Sequence, residues 1–202
     1  MLSGVSHDLR TPLTRLKLGL SMLDDADREP LERDVEDMRR LLDEFLSFAS
    51  GNAEGEQELC DPLAMMQSVA EDAVRMGTDA RMLIEDDGAP VMLNPISIRR
   101  ALDNLVGNAV RYGRRAELSV LRSEKTVVFR VEDDGPGLEE SQYGSAVKPF
   151  VRLDPARNQD KGTGVGLGLA ITNDIARAHG GSLRFSKSEK LGGLRAEIVI
   201  GA

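Results

Sequence analysis

Residues 161–171 read KGTGVGLGLAI: glycine stands at every second position from Gly162 to Gly168, and an amphipathic helix starts near Leu167 without a break. A glycine-rich run that opens a helix exposes backbone N–H groups beside the positive end of the helix dipole, which makes it a ready anion site. The run is not a Walker A loop, since no Gly-Lys-Ser/Thr follows, and not a dinucleotide fingerprint, since no strand immediately precedes it. A flexible tether would not lead straight into an apolar helical stripe. The stretch reads as a phosphate cradle outside the two commonest nucleotide-binding loops.

Working upstream, the 30 or so residues from Gly135 to Gly164 are too rich in Gly, Pro, Asp and Arg to hold a core, and a connection of that length is usually a functional lid or disordered. Lys148, Arg152 and Arg157 of KPFVRLDPAR lie where a polyphosphate would run, with Phe150 as an apolar latch. VEDDGPGL follows directly on a strand. Its glycines, Gly135 and Gly137, permit close backbone approach, and an acid at the strand end, Asp133, can accept from an exocyclic amine; an ordinary turn explains the same residues. DNLVGNAVRYG sets Asn104 and Asn108 on one helix face with Leu102, Leu105, Val106 and Ala109 on the other. A carboxamide oxygen suits Mg²⁺, although an ordinary polar helix surface would look alike.

Around these stretches helices and strands are both segregated and mixed, which predicts an α+β two-layer sandwich. DPLAMMQSVAEDAVRMG reads as a helix with Asp61 as N-cap and Pro62 at its first position. RMLIED, PVML, AELSVLRS, TVVFRVED, SLRFSKS and LRAEIVIG read as strands.

The first 50 residues differ in kind. Leu2, Val5, Leu9, Leu13, Leu16, Leu20 and Leu23 mark one helical seam, with a kink expected at Pro12. The polar run DDADREP is expected to be a loop, and Leu31, Val35, Met38, Leu42, Phe45 and Phe48 or Ala49 mark a second seam. Such an antiparallel hairpin has too little partner surface, so a dimeric four-helix bundle is expected. The polar, Gly-containing stretch that follows reads as a linker.

A net charge of -8 excludes a broad cationic footprint for nucleic acid. The single cysteine, Cys60, reads as a small buried hydrophobe in a reducing compartment. No run of 18 apolar residues and no signal peptide occurs, so the chain is expected to be a soluble piece cut from a longer protein at Met1.

Taken in order, SHDLRTPLTRL, NLVGNAVRYG, DDGPGL, KPFVRLD and GVGLGLAI resemble the H, N, first glycine, phenylalanine and second glycine boxes of bacterial sensor histidine kinases, the first being similar to the EnvZ-type osmosensors. The resemblance implies a dimerisation and phosphotransfer hairpin (residues 1–52), a linker (53–59) and a Bergerat-type ATP-binding α/β sandwich (60–202) of the kind found in gyrase, heat-shock chaperone and mismatch-repair ATPases. It implies ATP and Mg²⁺ as cofactors, autophosphorylation of His7, and transfer to an aspartate of an OmpR-like response regulator. Asn108 would then ligate Mg²⁺, Asn104 support the phosphate end, Tyr112 pack near adenine and Asp133 receive the adenine amine. Gly135, Gly137, Lys148, Phe150 and Arg152 would line the site, and Gly162, Thr163, Gly164, Val165, Gly166, Leu167 and Gly168 would cradle phosphates. Arg111 stands where many relatives carry lysine. The pattern also implies a cytoplasmic fragment of an inner-membrane parent and a phosphatase activity served by Thr11.

If Leu2, Val5 and Leu9 form the seam, His7 faces outward, away from the place of a core histidine. Asp8 can hold the proton on one ring nitrogen and leave the other free to attack phosphorus. His179, at a helix end before two glycines, reads as a C-terminal cation or cap without a catalytic role. Two other readings are a GHKL-type ATPase, which needs no H box, and a phosphotransfer adaptor, which should have lost the asparagines or glycines.

Overall fold

The computed structural model describes residues 2–22, 24–49, 55–84, 89–153 and 166–202. Helix α1 (Leu2–Leu20) continues through Pro12 and is followed by α2 (Asp25–Ala49). The expected loop DDADREP is mostly helix. The Asp24 carbonyl accepts from the N–H groups of Asp27 (3.1 Å) and Arg28 (2.9 Å), which starts α2 ahead of Pro30. The missing N–H of Pro30 removes one ladder bond and does not end the helix. Leu20 of α1 and Val35 and Leu46 of α2 are buried, and Leu46 was absent from the expected seam. Leu31, Met38 and Phe45, spaced seven apart, remain 42%, 47% and 46% exposed.

The second half is a five-stranded sheet in the order β2–β4–β5–β7–β6, formed by β2 (Asp79–Ile84), β4 (Arg115–Arg122), β5 (Thr126–Asp133), β6 (Ser182–Lys187) and β7 (Leu194–Gly201). β2 runs parallel to β4 and the remaining pairs are antiparallel. Helices α3 (Pro62–Arg75), α4 (Pro95–Tyr112) and α6 (Gly168–Ala178) pack on the sheet. β1 (Glu58–Cys60) pairs antiparallel with β3 (Val91–Leu93), so a strand begins inside the stretch read as linker.

Alternation along the strands explains the two layers. Val127, Phe129 and Val131 of β5, Leu118 and Val120 of β4, and Ala196, Ile198 and Ile200 of β7 enter a core with Leu102, Leu105, Val106, Ile171 and Ile175 of the helices. Several of the intervening residues carry charge and neutralise one another. Arg195 Nε donates to Glu132 Oε1 (3.0 Å), Arg130 Nε donates to Glu197 Oε1 (2.8 Å), and the buried Glu117 is paired with Arg115 and with Lys190 Nζ (2.6 Å). Asp61 caps α3 as expected, accepting from Leu63 and Ala64 N–H.

The stretch after Gly135 is more ordered than its composition implies. A 3-10 turn (Glu140–Gln142) and the short helix α5 (Tyr143–Ala146) dock on the sheet, with the Tyr143 ring 5.6 Å from that of Phe185 and Ala146 buried. Phe129, fully enclosed at the middle of the central strand, is the largest side chain of this core. Replacement with alanine is expected to destabilise the fold by about 3–5 kcal/mol, read as a shift in the urea unfolding midpoint followed by circular dichroism.

Candidate functional site

The site is assembled where β5 ends. Asp133, its last residue, is 7% exposed, and its Oδ1 accepts from the backbone N–H of Gly135 (2.8 Å) and of Leu194 (3.1 Å). Among the described residues no donor reaches Oδ2. Burial pushes the Asp133 carboxyl above its ordinary range, against the pull of the Leu194 and Gly135 N–H groups, and the neighbouring Asp134 adds to the rise. Asp134 behaves oppositely. Its Oδ1 accepts from the N–H of Arg114 (2.6 Å) and Arg115 (2.9 Å), and those donors, that of Arg115 first, lower its pKa. Two adjacent acids thus divide the work: Asp134 fastens the end of α4 to the start of β4, and Asp133 keeps one carboxylate oxygen without a donor among the described residues.

Gly193, in the turn between β6 and β7, was not picked out from the sequence. Its N–H donates to the Asp133 carbonyl (3.1 Å), and a Cβ there would overlap Asp133 Oδ1 and the Asp133 carbonyl oxygen and lie 2.6 Å from Gly135 N. A Cβ on Gly135 would lie 2.9 Å from Asp133 Oδ1 and 3.0 Å from the Tyr112 carbonyl. The clue was the pair Gly192-Gly193 before a strand, a signal that any hairpin turn shares.

Helix α4 supplies the second wall. Asn104 Nδ2 donates to the Gly168 carbonyl (3.3 Å), which ties α4 to the first turn of α6, and Thr172 Oγ1 donates to the same carbonyl (2.9 Å). Asn108, four residues on, is half-buried, and its carboxamide meets no hydrogen-bond partner among the described residues. Arg111 is half-buried and Tyr112 exposed on the following turn. The third wall closes on itself: Phe150 N–H donates to the Gly166 carbonyl (3.0 Å), with both residues at positive φ, 64° and 76°. A Cβ on Gly166 would lie 2.7 Å from the Val151 carbonyl, so glycine is required there.

Lys148, Phe150 and Arg152 are exposed, Phe150 by 54%, so Phe150 is no apolar latch in this arrangement. The Leu167 side chain is fully buried in the core, and only its backbone can meet a ligand. Gly137 has φ 71° and packs against Gly193. Gly162, Thr163, Gly164 and Val165 lie outside the described residues, as do Arg157 and the side chains of His7 and Asp8, whose backbone belongs to α1. Thr11 is partly buried on the same helix.

Two family models account for this arrangement: the Histidine kinase-, DNA gyrase B-, and HSP90-like ATPase model matches residues 93–201, and the His Kinase A (phospho-acceptor) domain model matches residues 1–54. The chain belongs to the sensor histidine kinases. The sensor protein RstB of Escherichia coli K12 is 39% identical over 96% of this chain, and the sensor histidine kinase CpxA of the same organism is 30% identical over 98% of it. The chain spans 47% and 46% of their lengths. The histidine kinase domain of the E. coli osmosensor EnvZ, solved by NMR, is 34% identical and superposes with a TM-score of 0.57, covering 75% of this chain and 92% of that one. Among the described residues of this kinase core no helix is long and apolar enough to cross a membrane.

The raised Asp133 pKa has a defined consequence. Because the folded chain holds this proton to a higher pH than the unfolded chain, the group favours the fold at acid pH, and that contribution is lost as pH rises through the folded-state value. Asp133→Asn keeps an oxygen for Gly135 and Leu194 and removes the titration. The variant's gain in stability over the parent should grow between about pH 4 and pH 7, measured by urea unfolding.

Proposed function

We propose that this kinase core transfers the γ-phosphoryl group of ATP to His7 and then to an aspartate on an OmpR-like response regulator. One observation carries the reading: a single chain joins a phospho-acceptor helix that bears His7 to an ATPase domain with a buried carboxylate at a strand end, paired asparagines on α4 and a glycine-opened helix tied to the first of them. On this reading residues 1–52 are the dimerisation and phosphotransfer hairpin, 53–59 the linker and 60–202 the catalytic domain.

Asp133 Oδ2 accepts the adenine amine, with Tyr112 beside the ring, and the spare oxygen left by the two backbone N–H bonds supports that role. Phosphates lie along Gly162, Thr163, Gly164, Val165, Gly166 and Gly168 at the amino end of α6, near Asn104, Arg111, Lys148 and Arg152. The residues fit Mg²⁺: the Asn108 carboxamide is a hard oxygen donor without a competing partner among the described residues, and no cluster of three His, Cys, Asp or Glu is present among them. Asn108 would hold the ion, which would supply charge neutralisation at the phosphates.

At His7 the transfer breaks the bond from the γ-phosphorus to the ADP oxygen and forms a nitrogen–phosphorus bond, and the ring proton passes to Asp8. Thr11, one turn along α1, orients water for the opposing activity, hydrolysis of the regulator's phosphoaspartate. Arg15, Leu16 and Leu18 are exposed on the same helix and set the choice of regulator. The stripe Leu31, Met38 and Phe45 supports a homodimer, since it lies beside the residues of α2 that already pack on α1 and a second copy presents the same stripe. The parent protein is a membrane-anchored sensor with this core on the cytoplasmic side.

Incubation with γ-labelled ATP and Mg²⁺ should place acid-labile, alkali-stable label on the chain, and none on His7→Gln; free phosphate without labelled protein would instead mark an ATPase. Asp133→Asn should weaken ATP binding on the order of ten- to a hundredfold, measured by titration calorimetry, through loss of a charge-assisted hydrogen bond.

A further inference from the structure

Asn94 lies at the opposite end of α4 from the nucleotide residues and is 6% exposed. Its Oδ1 accepts from Ser97 N–H (3.0 Å), capping α4, while its Nδ2 donates to the carbonyl of Gly55 (2.7 Å), in the chain that arrives from the hairpin. Its backbone N–H donates to Nε2 of His179 (3.0 Å), at the end of α6. The other ring nitrogen, Nδ1, donates to the Ile175 carbonyl (2.8 Å), so His179, which caps the end of α6 as the sequence reading allowed, also bridges α6 to the start of α4. One asparagine therefore joins the incoming linker, the start of the helix that carries Asn104 and Asn108, and the end of the helix opened by Gly168. Gly55 has φ 110°, and a Cβ there would lie 2.9 Å from Asn94 Nδ2, so only glycine permits this approach.

The geometry points to Asn94 and Gly55 as positioning residues that set the pivot about which the nucleotide domain swings toward His7. The inference rests on the kinase reading. With the bond made, Ala49 at the end of α2 lies no more than about 20 Å from Gly55, the span of six fully extended residues. Asn108 lies fourteen residues beyond Asn94, so the phosphate end stands about 21 Å from the pivot. With the bond broken the pivot retreats to Glu58, where β1 begins, and the tether lengthens by half. A longer, looser tether lowers the fraction of encounters that bring phosphorus to the imidazole in reacting geometry. Nucleotide affinity does not change, because neither residue faces the cleft.

Asn94→Asp tests this cleanly, since aspartate caps a helix as well as asparagine and cannot donate to Gly55. Gly55→Ala breaks the same bond from the other side and lies outside the core. On the full 202-residue chain, each variant should lower autophosphorylation turnover at saturating ATP about three- to tenfold, with the ATP dissociation constant within about twofold of the parent. The double variant should be no slower than the slower single, since both act on the Asn94–Gly55 bond. Protease cleavage between residues 50 and 57 should be faster in every variant. Unchanged turnover, additive losses, unchanged cleavage, or nucleotide affinity falling in step with turnover overturns the proposal. A parent chain that binds ATP without acquiring label overturns the kinase reading instead, and the cleavage rates then decide the pivot.

Discussion

A single carboxylate organises the catalytic half of this molecule. Asp133 ends the central strand, and two separate segments crowd it: the loop from Gly135 and the β6–β7 turn at Gly193 and Leu194. Every approach is by backbone, and each is as close as the absence of a side chain allows. The burial that follows raises the free energy of the charged carboxyl, and two N–H donors offset part of that cost without satisfying both oxygens. A carboxylate held in this way has one strong acceptor site in reserve, and a ligand that supplies a donor there relieves the penalty.

The same division between structure and chemistry runs along α4. Its buried face holds it to the sheet through Ile98, Leu102, Leu105 and Ala109, while Asn94 and Asn104 fasten its two halves to α6. On the exposed side Arg99 reaches Ser68 and Asp72 of α3, and that guanidinium, ahead of Arg75, keeps the Asp72 carboxyl below its usual range. α4 is therefore clamped on both flanks, and Asn108 is carried on a rigid rod. Among the described residues of the hairpin, Leu20, Val35 and Leu46 are buried, and the apolar stripe left exposed is the feature of this half that calls for a second chain.

Much of this was legible in the residues. TVVFRVED and LRAEIVIG coincide with β5 and β7 because apolar residues at every second position admit one buried face. Asp61 and Pro62 marked the start of α3 because capping chemistry is local. The misreadings share a cause. DDADREP looked like a loop because polarity and proline were given more weight than helix initiation at Asp24. β1 and α5 were missed because each is too short for its periodicity to show, and both are held by partners distant in the chain, β3 and Phe185.

The sequence by itself determined which residues could do chemistry: a histidine followed by an acid on a helical repeat, two asparagines one turn apart, an acid at a strand end and glycines that open a helix. Side-chain identity and local spacing suffice for those, since hydrogen-bonding type, charge and helical phase are properties of a few neighbouring residues. Only the tertiary structure decided that Asp133 is buried with one oxygen left without a donor among the described residues while Asp134 is spent on Arg114 and Arg115, that Leu167 belongs to the core, that Gly193 is as necessary as Gly135, and that His179 serves Asn94. Those assignments depend on burial and on contacts between segments as many as 85 residues apart, which no local pattern encodes.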